Sequence, residues 1–160
     1  MFEIERKFLV EYPDIIILTN SEKIEIIQTY LKSNNPENEI RIRRKKISEQ
    51  YEYTYTEKKT ISGIKRIETE KVVTRDEYEL LLKNADKTVN QIKKVRYGFR
   101  YKNQYFELDT YEFWQDRAIM EIELENDNQT VEIPDFIKVI KEVTNDKNYK
   151  NRSLANLKIM

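Results

Sequence analysis

Six stretches of this chain place charged residues at every second position, mostly with apolar residues between them, and within a stretch the charges mostly share a sign. A period of two belongs to the β-strand, where successive side chains point to opposite faces. The chain is therefore committed to a sheet with two unlike faces. In the opening stretch Glu3, Glu5 and Lys7 fall on one side. Carboxylates two residues apart lie about 7 Å from each other and repel by on the order of 2 kcal/mol at an effective dielectric near 20. Solvent, a neighbouring basic strand or a hard metal ion can each supply the missing positive charge.

The alternation predicts strands near residues 2–10, 24–32, 38–47, 51–59, 66–73, 93–101, 104–111 and 118–125, enough to close a barrel. Short polar connectors favour hairpins: residues 33–37, residues 48–50, a loop around Gly63, and Lys102-Asn103 as a tight turn. Sequential hairpins of this kind imply an antiparallel meander. Thr74 and Glu77 form a capping box ahead of Tyr78, Leu81, Leu82 and Ala85, so a helix is expected there, ending near Lys87. A second helix is expected from Pro134, and a third from Tyr149 to Lys158 with Leu154 and Leu157 as apolar anchors that cap the barrel or pack beside it. The 160 residues read as one domain, 1–160, without repeats or linkers.

Strand parity sorts the charges. Glu39, Arg41, Arg43 and Lys45 share a face against Ile40 and Ile42; Thr54, Thr56 and Lys58 oppose Tyr53 and Tyr55; Lys94, Arg96 and Arg100 oppose Val95, Tyr97 and Phe99. Acidic pairs occupy the other strands: Glu68 with Glu70, Glu107 with Asp109, Glu121 with Glu123. The plain reading is the wet side of a half-buried antiparallel sheet. Against it, solvated faces mix signs, whereas matched neighbouring charges repel. An inverted barrel accounts for both faces. Its apolar side lies outward under helices and loops, and its charged side lines a central tunnel.

Composition narrows the chemistry inside such a tunnel. The 29 basic and 29 acidic residues cancel, which disfavours nucleic acid or an anionic membrane as a bulk-charge partner. Cysteine and histidine are absent, so thiolate sites, imidazole ligands and a Ser-His-Asp mechanism are excluded. A metal must bind through oxygen, which points to Mg²⁺, Mn²⁺ or Ca²⁺. No run of ~20 apolar residues suggests a membrane span and no signal-peptide pattern opens the chain, so a cytoplasmic location is expected. Arginine and lysine bind phosphate oxygens while carboxylates bind cations that bridge to the same phosphates, so a linear polyphosphate suits both halves of the charge set.

The motifs in their order resemble the CYTH domain of the triphosphate tunnel metalloenzymes. Glu3-Ile4-Glu5-Arg6-Lys7 matches that family's Glu-x-Glu-x-Lys opening. After it come Gln28-Thr29-Tyr30-Leu31, Arg41-Ile42-Arg43, Thr56-Glu57-Lys58, Glu68-Thr69-Glu70, Lys94-Val95-Arg96-Tyr97, Glu107-Leu108-Asp109 and Glu121-Ile122-Glu123-Leu124. Glu142-Val143-Thr144, Tyr149 and Asn151 close the series. The resemblance implies a mainly β, α+β fold: an eight-stranded antiparallel barrel around a charged tunnel. It also implies metal-dependent hydrolysis of inorganic triphosphate to diphosphate and phosphate, with Mg²⁺ or Mn²⁺ as cofactor.

Roles follow from charge and from that resemblance. Glu3, Glu5, Asp109, Glu121 and Glu123 are the expected metal ligands, with Glu68, Glu70 and Glu107 as secondary tunnel carboxylates. Lys7, Arg41, Arg43, Lys58, Lys94 and Arg96 are the expected phosphate ligands; Lys58, Lys94, Asp109 and Tyr30 are the catalytic candidates. Arg6 has outward parity and is expected to pair with a covering helix or reach solvent. Tyrosines and Trp114 are expected in packing rather than base stacking, and residues 142–151 are expected to fix the C-terminal helix at a tunnel mouth. A class IV adenylate cyclase, a thiamine triphosphatase and a non-catalytic polyphosphate- or nucleotide-binding module are the alternatives on this fold. The expected partner is a small triphosphate, with no nucleic acid and no membrane; a homodimer stays open.

Overall fold

A computed structural model describes residues 2–62 and 65–156. Eight antiparallel strands close a barrel: β1 (Phe2–Glu11), β2 (Glu22–Tyr30), β3 (Asn38–Ile47), β4 (Gln50–Ser62), β5 (Lys65–Val73), β6 (Ile92–Tyr101), β7 (Gln104–Tyr111) and β8 (Arg117–Glu123). The eight expected strands are present, but the barrel is not a single meander. β2 to β5 form one run of hairpins and β6 to β8 another; β2 pairs with β6, and β1 joins β8 to β5. The physical cause is the segment after β1. Pro13 and Asp14 break the strand, Asp14 caps the unexpected helix α1 (Ile15–Asn20), and the buried Ile17 ties that helix to the outside of the barrel. A tight hairpin between β1 and β2 is thereby excluded.

Two hairpins turn on residues with positive φ, Ser48-Glu49 and Lys102-Asn103, the backbone that matches strand twist. The Gly63 loop lies outside the described residues. Helix α2 (Arg75–Leu82) starts at the expected capping box, with Thr74 Oγ1 accepting from Glu77 N and Glu77 Oε1 accepting from Thr74 N. It ends at Leu82 rather than near Lys87, because Ala85 leaves the helix to bridge to Leu31. No helix forms from Pro134 among the described residues. A bend there leads into a further strand, β9 (Val139–Glu142), which pairs with β1 beyond the reach of β5. The expected C-terminal helix is a 3₁₀ turn, Lys147–Tyr149, followed by α3 (Asn151–Leu154); Leu157 and Lys158 lie outside the described residues.

The apolar parity faces outward, as an inverted barrel requires. Ile4, Phe8, Phe106, Leu108, Met120 and Ile122 pack under Ile17, Ile137 and the chain between β8 and β9. On the other flank Ile42 and Val73 pack under Tyr78 of α2. Burying each such side chain is worth roughly 1.5–3 kcal/mol, so these two outer layers hold the barrel closed against its charged interior. Among the described residues no helix is long and apolar enough to cross a membrane.

Candidate active site inside the barrel

Strand register sorts the interior into two arcs. Glu5 lies opposite Glu123, Lys7 opposite Glu121, and Glu121 opposite Glu107, so β7, β8 and β1 form an acidic arc that β5 extends with Glu68 and Glu70. Lys58 on β4, Arg41, Arg43 and Lys45 on β3, and Lys94 and Arg96 on β6 form a basic arc, with the neutral Gln28 and Tyr30 of β2 between them. Lys7, Arg66 and Glu39 are the cross-sign residues of these two walls. Between the arcs lies a cavity of about 930 Å³ lined by side chains from both.

One end of the interior is filled. Leu9, Tyr30, Ile92, Tyr111 and Ile119 share the inward parity of the charged residues and pack with Leu154 and Ala155 of the C-terminal segment. Trp114 and Tyr149 join this plug, which places the tryptophan in packing. Tyr111 donates to Asn151 Oδ1 at 2.7 Å, and Arg152 Nη2 lies 2.8 Å from Asp86 Oδ2. These contacts fix α3 so that Lys150 and Arg152 also face the cavity. Glu142 and Thr144 act elsewhere than at a helix. Arg6 grips Glu142 with Nη2 at 2.7 Å and Nε at 2.9 Å, and Thr144 Oγ1 accepts from Lys7 N at 3.1 Å, so they stitch β9 to β1. Arg6 thus pairs with the neighbouring strand β9 of the same sheet rather than with a covering helix.

Most expected site residues meet in the cavity: Glu3, Glu5, Lys7, Arg41, Arg43, Lys58, Glu68, Glu70, Arg96, Glu107, Glu121 and Glu123 line it. Lys94, Asp109 and Tyr30 are instead buried behind that lining. Asp109 accepts from Arg96 Nε at 2.8 Å and Nη2 at 2.9 Å, a two-pronged contact that fixes the guanidinium. Lys94 Nζ lies 2.8 Å from Asp109 Oδ2, with the two side chains 0% and 1% exposed. That is an ion contact; Nζ has no aligned hydrogen-bond acceptor among the described residues. Tyr30 accepts from Gln28 Nε2 at 2.6 Å, and Gln28 Oε1 accepts from Arg43 Nε at 2.6 Å. The chain Tyr30–Gln28–Arg43 anchors one edge of Arg43, which lines the cavity.

The two arcs respond differently to their own charge. Burial, then the nearby Glu121, pushes Glu5 up to about 7; burial also raises Glu3 and Glu123. Burial would raise Glu121 as well, but Lys7 and Arg96 outweigh it and hold Glu121 at about 2. Asp109 is held far below its usual range, since Arg96 and Lys94 overcome its burial. On the basic arc, burial and then Arg41 and Arg96 lower Arg43 to about 10. Burial lowers Lys94 to about 7 although Asp109 supports its charge.

As the side chains stand, no three carboxylates among the described residues converge to hold an ion. Cations of the protein stand there instead. Lys58 Nζ meets Glu3 Oε1 at 2.9 Å and Arg66 Nη1 meets Glu5 Oε1 at 3.2 Å. The donor set still fits a hard divalent cation: it is oxygen throughout, and Glu5 and Glu123 face each other in register with raised pKa values. Arg66, Lys150 and Arg152 escaped the sequence reading. Arg66 was within reach of it, because it shares parity with Glu68 and Glu70; Lys150 and Arg152 come from a turn and a short helix, where no parity applies.

The sequence matches the CYTH domain across residues 1–155. Among solved structures, the inorganic triphosphatase NE1496 is similar at 28% identity, over 99% of this chain and 97% of that one, with a TM-score of 0.61. A second structure of NE1496, described as a hypothetical protein, aligns at 30% identity over 99% of both chains with a TM-score of 0.59. The PH1819 protein of Pyrococcus horikoshii OT3 shares the fold at 19% identity, over 78% of this chain and 80% of that one, with a TM-score of 0.57. No curated protein sequence gives a match. With that match running almost end to end and a closed barrel turning its charges inward, the chain belongs to the CYTH domain family.

Proposed function

We propose that this protein hydrolyses inorganic triphosphate to diphosphate and phosphate with Mg²⁺ or Mn²⁺ on its acidic arc. The observation that carries this reading is the division of one cavity into facing acidic and basic walls, which suits a polyanion bound together with a divalent cation. Similarity to the triphosphatase NE1496 supports it. Arg41, Arg43, Arg96 and Lys58 hold the phosphate oxygens and offset the charge that develops in a loose phosphoryl-transfer transition state. Arg41 Nε is buried without a partner among the described residues, an unmet donor that a phosphate oxygen could answer.

Glu3, Glu5, Glu121 and Glu123 are the residues that would hold the cation, with Glu107 beside them. The cation, when bound, supplies Lewis-acid polarisation of phosphate oxygens and lowers the pKa of bound water. Asp109 has both oxygens on Arg96 and Lys94, so it is proposed as a positioning residue rather than a metal ligand. Tyr30 positions Arg43 through Gln28. Lys94, buried behind the lining with Nζ 2.8 Å from Asp109 Oδ2, is proposed as a further positioning residue that holds Asp109 and through it Arg96.

The test is to incubate purified protein with triphosphate, ATP or thiamine triphosphate, each with Mg²⁺, Mn²⁺ or EDTA, and identify the products. Phosphate and diphosphate should form from triphosphate, and EDTA should abolish the reaction. Release of phosphate from none of the substrates would sink the proposal, and cyclic AMP from ATP would replace it with a cyclase.

A further inference from the structure

Arg66 stands at the seam where the barrel closes, opposite Glu3 in the β1–β5 register, and donates to Glu5 across the cavity wall. Its side chain is 15% exposed and that of Glu5 13%, so solvent does little to weaken the pair. Lys58 holds Glu3 in the same manner. The two carboxylates at the head of the acidic arc are thus neutralised by the protein's own cations. A carboxylate oxygen engaged by a guanidinium cannot also bind a metal ion closely, because the two cations repel at short range. Arg66 and a divalent ion therefore compete for Glu5. A guanidinium displaced from that partner keeps its charge, and a mostly buried charge without a partner is unfavourable. Lys150 lines the same cavity and repels it, and the nearby Glu3 and Glu68 are already engaged by Lys58, so the partner left to it is a bound anion.

We propose that Arg66 is a phosphate ligand released by the metal: it occupies Glu5 in the free protein and turns to the triphosphate when a divalent cation takes that carboxylate. This rests on the triphosphate reading above. It makes cation and triphosphate bind with positive coupling, since each relieves the charge that the other exposes. The ligand class is a phosphate-rich anion, which the planar fork of arginine can hold with two hydrogen bonds.

The experiment titrates Mn²⁺ alone, followed by the paramagnetic signal of the free ion, into wild type, Arg66→Gln and Arg66→Lys. Non-hydrolysable imidotriphosphate is then titrated calorimetrically at saturating Mn²⁺. Arg66→Gln should bind Mn²⁺ about fivefold to tenfold tighter, having lost the competitor, and the analogue about tenfold weaker, having lost a charged hydrogen-bond donor. Arg66→Lys should keep Mn²⁺ affinity within about twofold of wild type yet bind the analogue several-fold weaker, because an ammonium lacks the fork. Should Arg66→Gln fail to fold, the lysine variant decides: analogue affinity equal to wild type overturns the inference. So does an Arg66→Gln protein that binds Mn²⁺ no tighter than wild type, or the analogue no weaker. Wild-type protein that takes up Mn²⁺ but no analogue defeats the triphosphate reading itself, and this inference with it.

Discussion

The two walls of the cavity carry opposite charge and resolve their internal repulsion by different means. The basic arc is locked from behind: Asp109 grips Arg96, and the Tyr30–Gln28 chain fixes Arg43. The acidic arc is locked from the front, where Lys58 and Arg66 reach out to Glu3 and Glu5. Cations held from behind keep their outer edges ready for an anion. Carboxylates held from the front must first be released. Under the proposed function, this difference means a basic wall preorganised for phosphate and an acidic wall that changes partners when an ion arrives.

Substitutions on both walls test this most severely. Arg43→Ala and Glu5→Gln should each lower kcat/KM for triphosphate by at least ~100-fold, the loss that follows removal of one electrostatic catalytic group. They should part company in stability. Without metal, Glu5→Gln should leave the folded protein no less stable at pH 8 in urea unfolding, since relief of the charge facing Glu123 offsets the pair lost with Arg66, whereas Arg43→Ala should destabilise by leaving Gln28 without its partner. If both variants lose stability, the acidic arc is not frustrated in the free protein.

A pH series on metal-free protein separates the walls next. Glu5 has a pKa of about 7 when folded against an ordinary 4.5, so the native state binds more protons between those values and stability falls as pH rises through that window. Lys94 runs the other way, with about 7 when folded against 10.5. The native state binds fewer protons there, and stability rises from about pH 7 towards 10.5. The two slopes should meet in a minimum near neutral pH, each contributing on the order of a few kcal/mol. Glu5→Gln should shrink the acid-side slope to the part that Glu3 and Glu123 contribute and leave the other. A flat profile between pH 5 and 10 in the wild type would contradict both assignments.

The smallest effect belongs outside the barrel. Arg6 and Glu142 form a two-pronged pair whose side chains are 30% and 40% exposed, so Arg6→Ala should cost no more than about 1 kcal/mol in thermal unfolding. Triphosphate turnover should stay unchanged, which marks cavity location rather than ion-pair chemistry as the source of the larger losses.

Much of this was legible in the sequence. Period-two alternation placed the strands, and parity assigned Arg41, Arg43, Glu121 and Glu123 to the inside. The capping box of Thr74 and Glu77 marked the start of α2 because its signal is local. Other features carried no local signal. β9 is a strand only because β1 has an edge free beyond β5, and its residues are all exposed. The plug of Leu9, Ile92 and Ile119 escaped notice because each is a single apolar residue at the end of a charged parity, meaningful only where five strands meet. Asp109 read as a tunnel carboxylate by parity, while its depth behind Arg96 depends on where the plug sits.

The sequence alone determined which side chains face inward, because strand geometry sends alternate residues to opposite faces whatever the topology. It therefore determined that Glu3, Glu5 and Lys7 would need countercharge. Only the tertiary structure decided who supplies it. By placing β1 between β8 and β5, far from its neighbour in sequence, the closure of the barrel set acid beside acid, divided the cavity into two walls and brought Arg66 to Glu5. Coulombic interaction falls with distance through space and takes no account of separation along the chain.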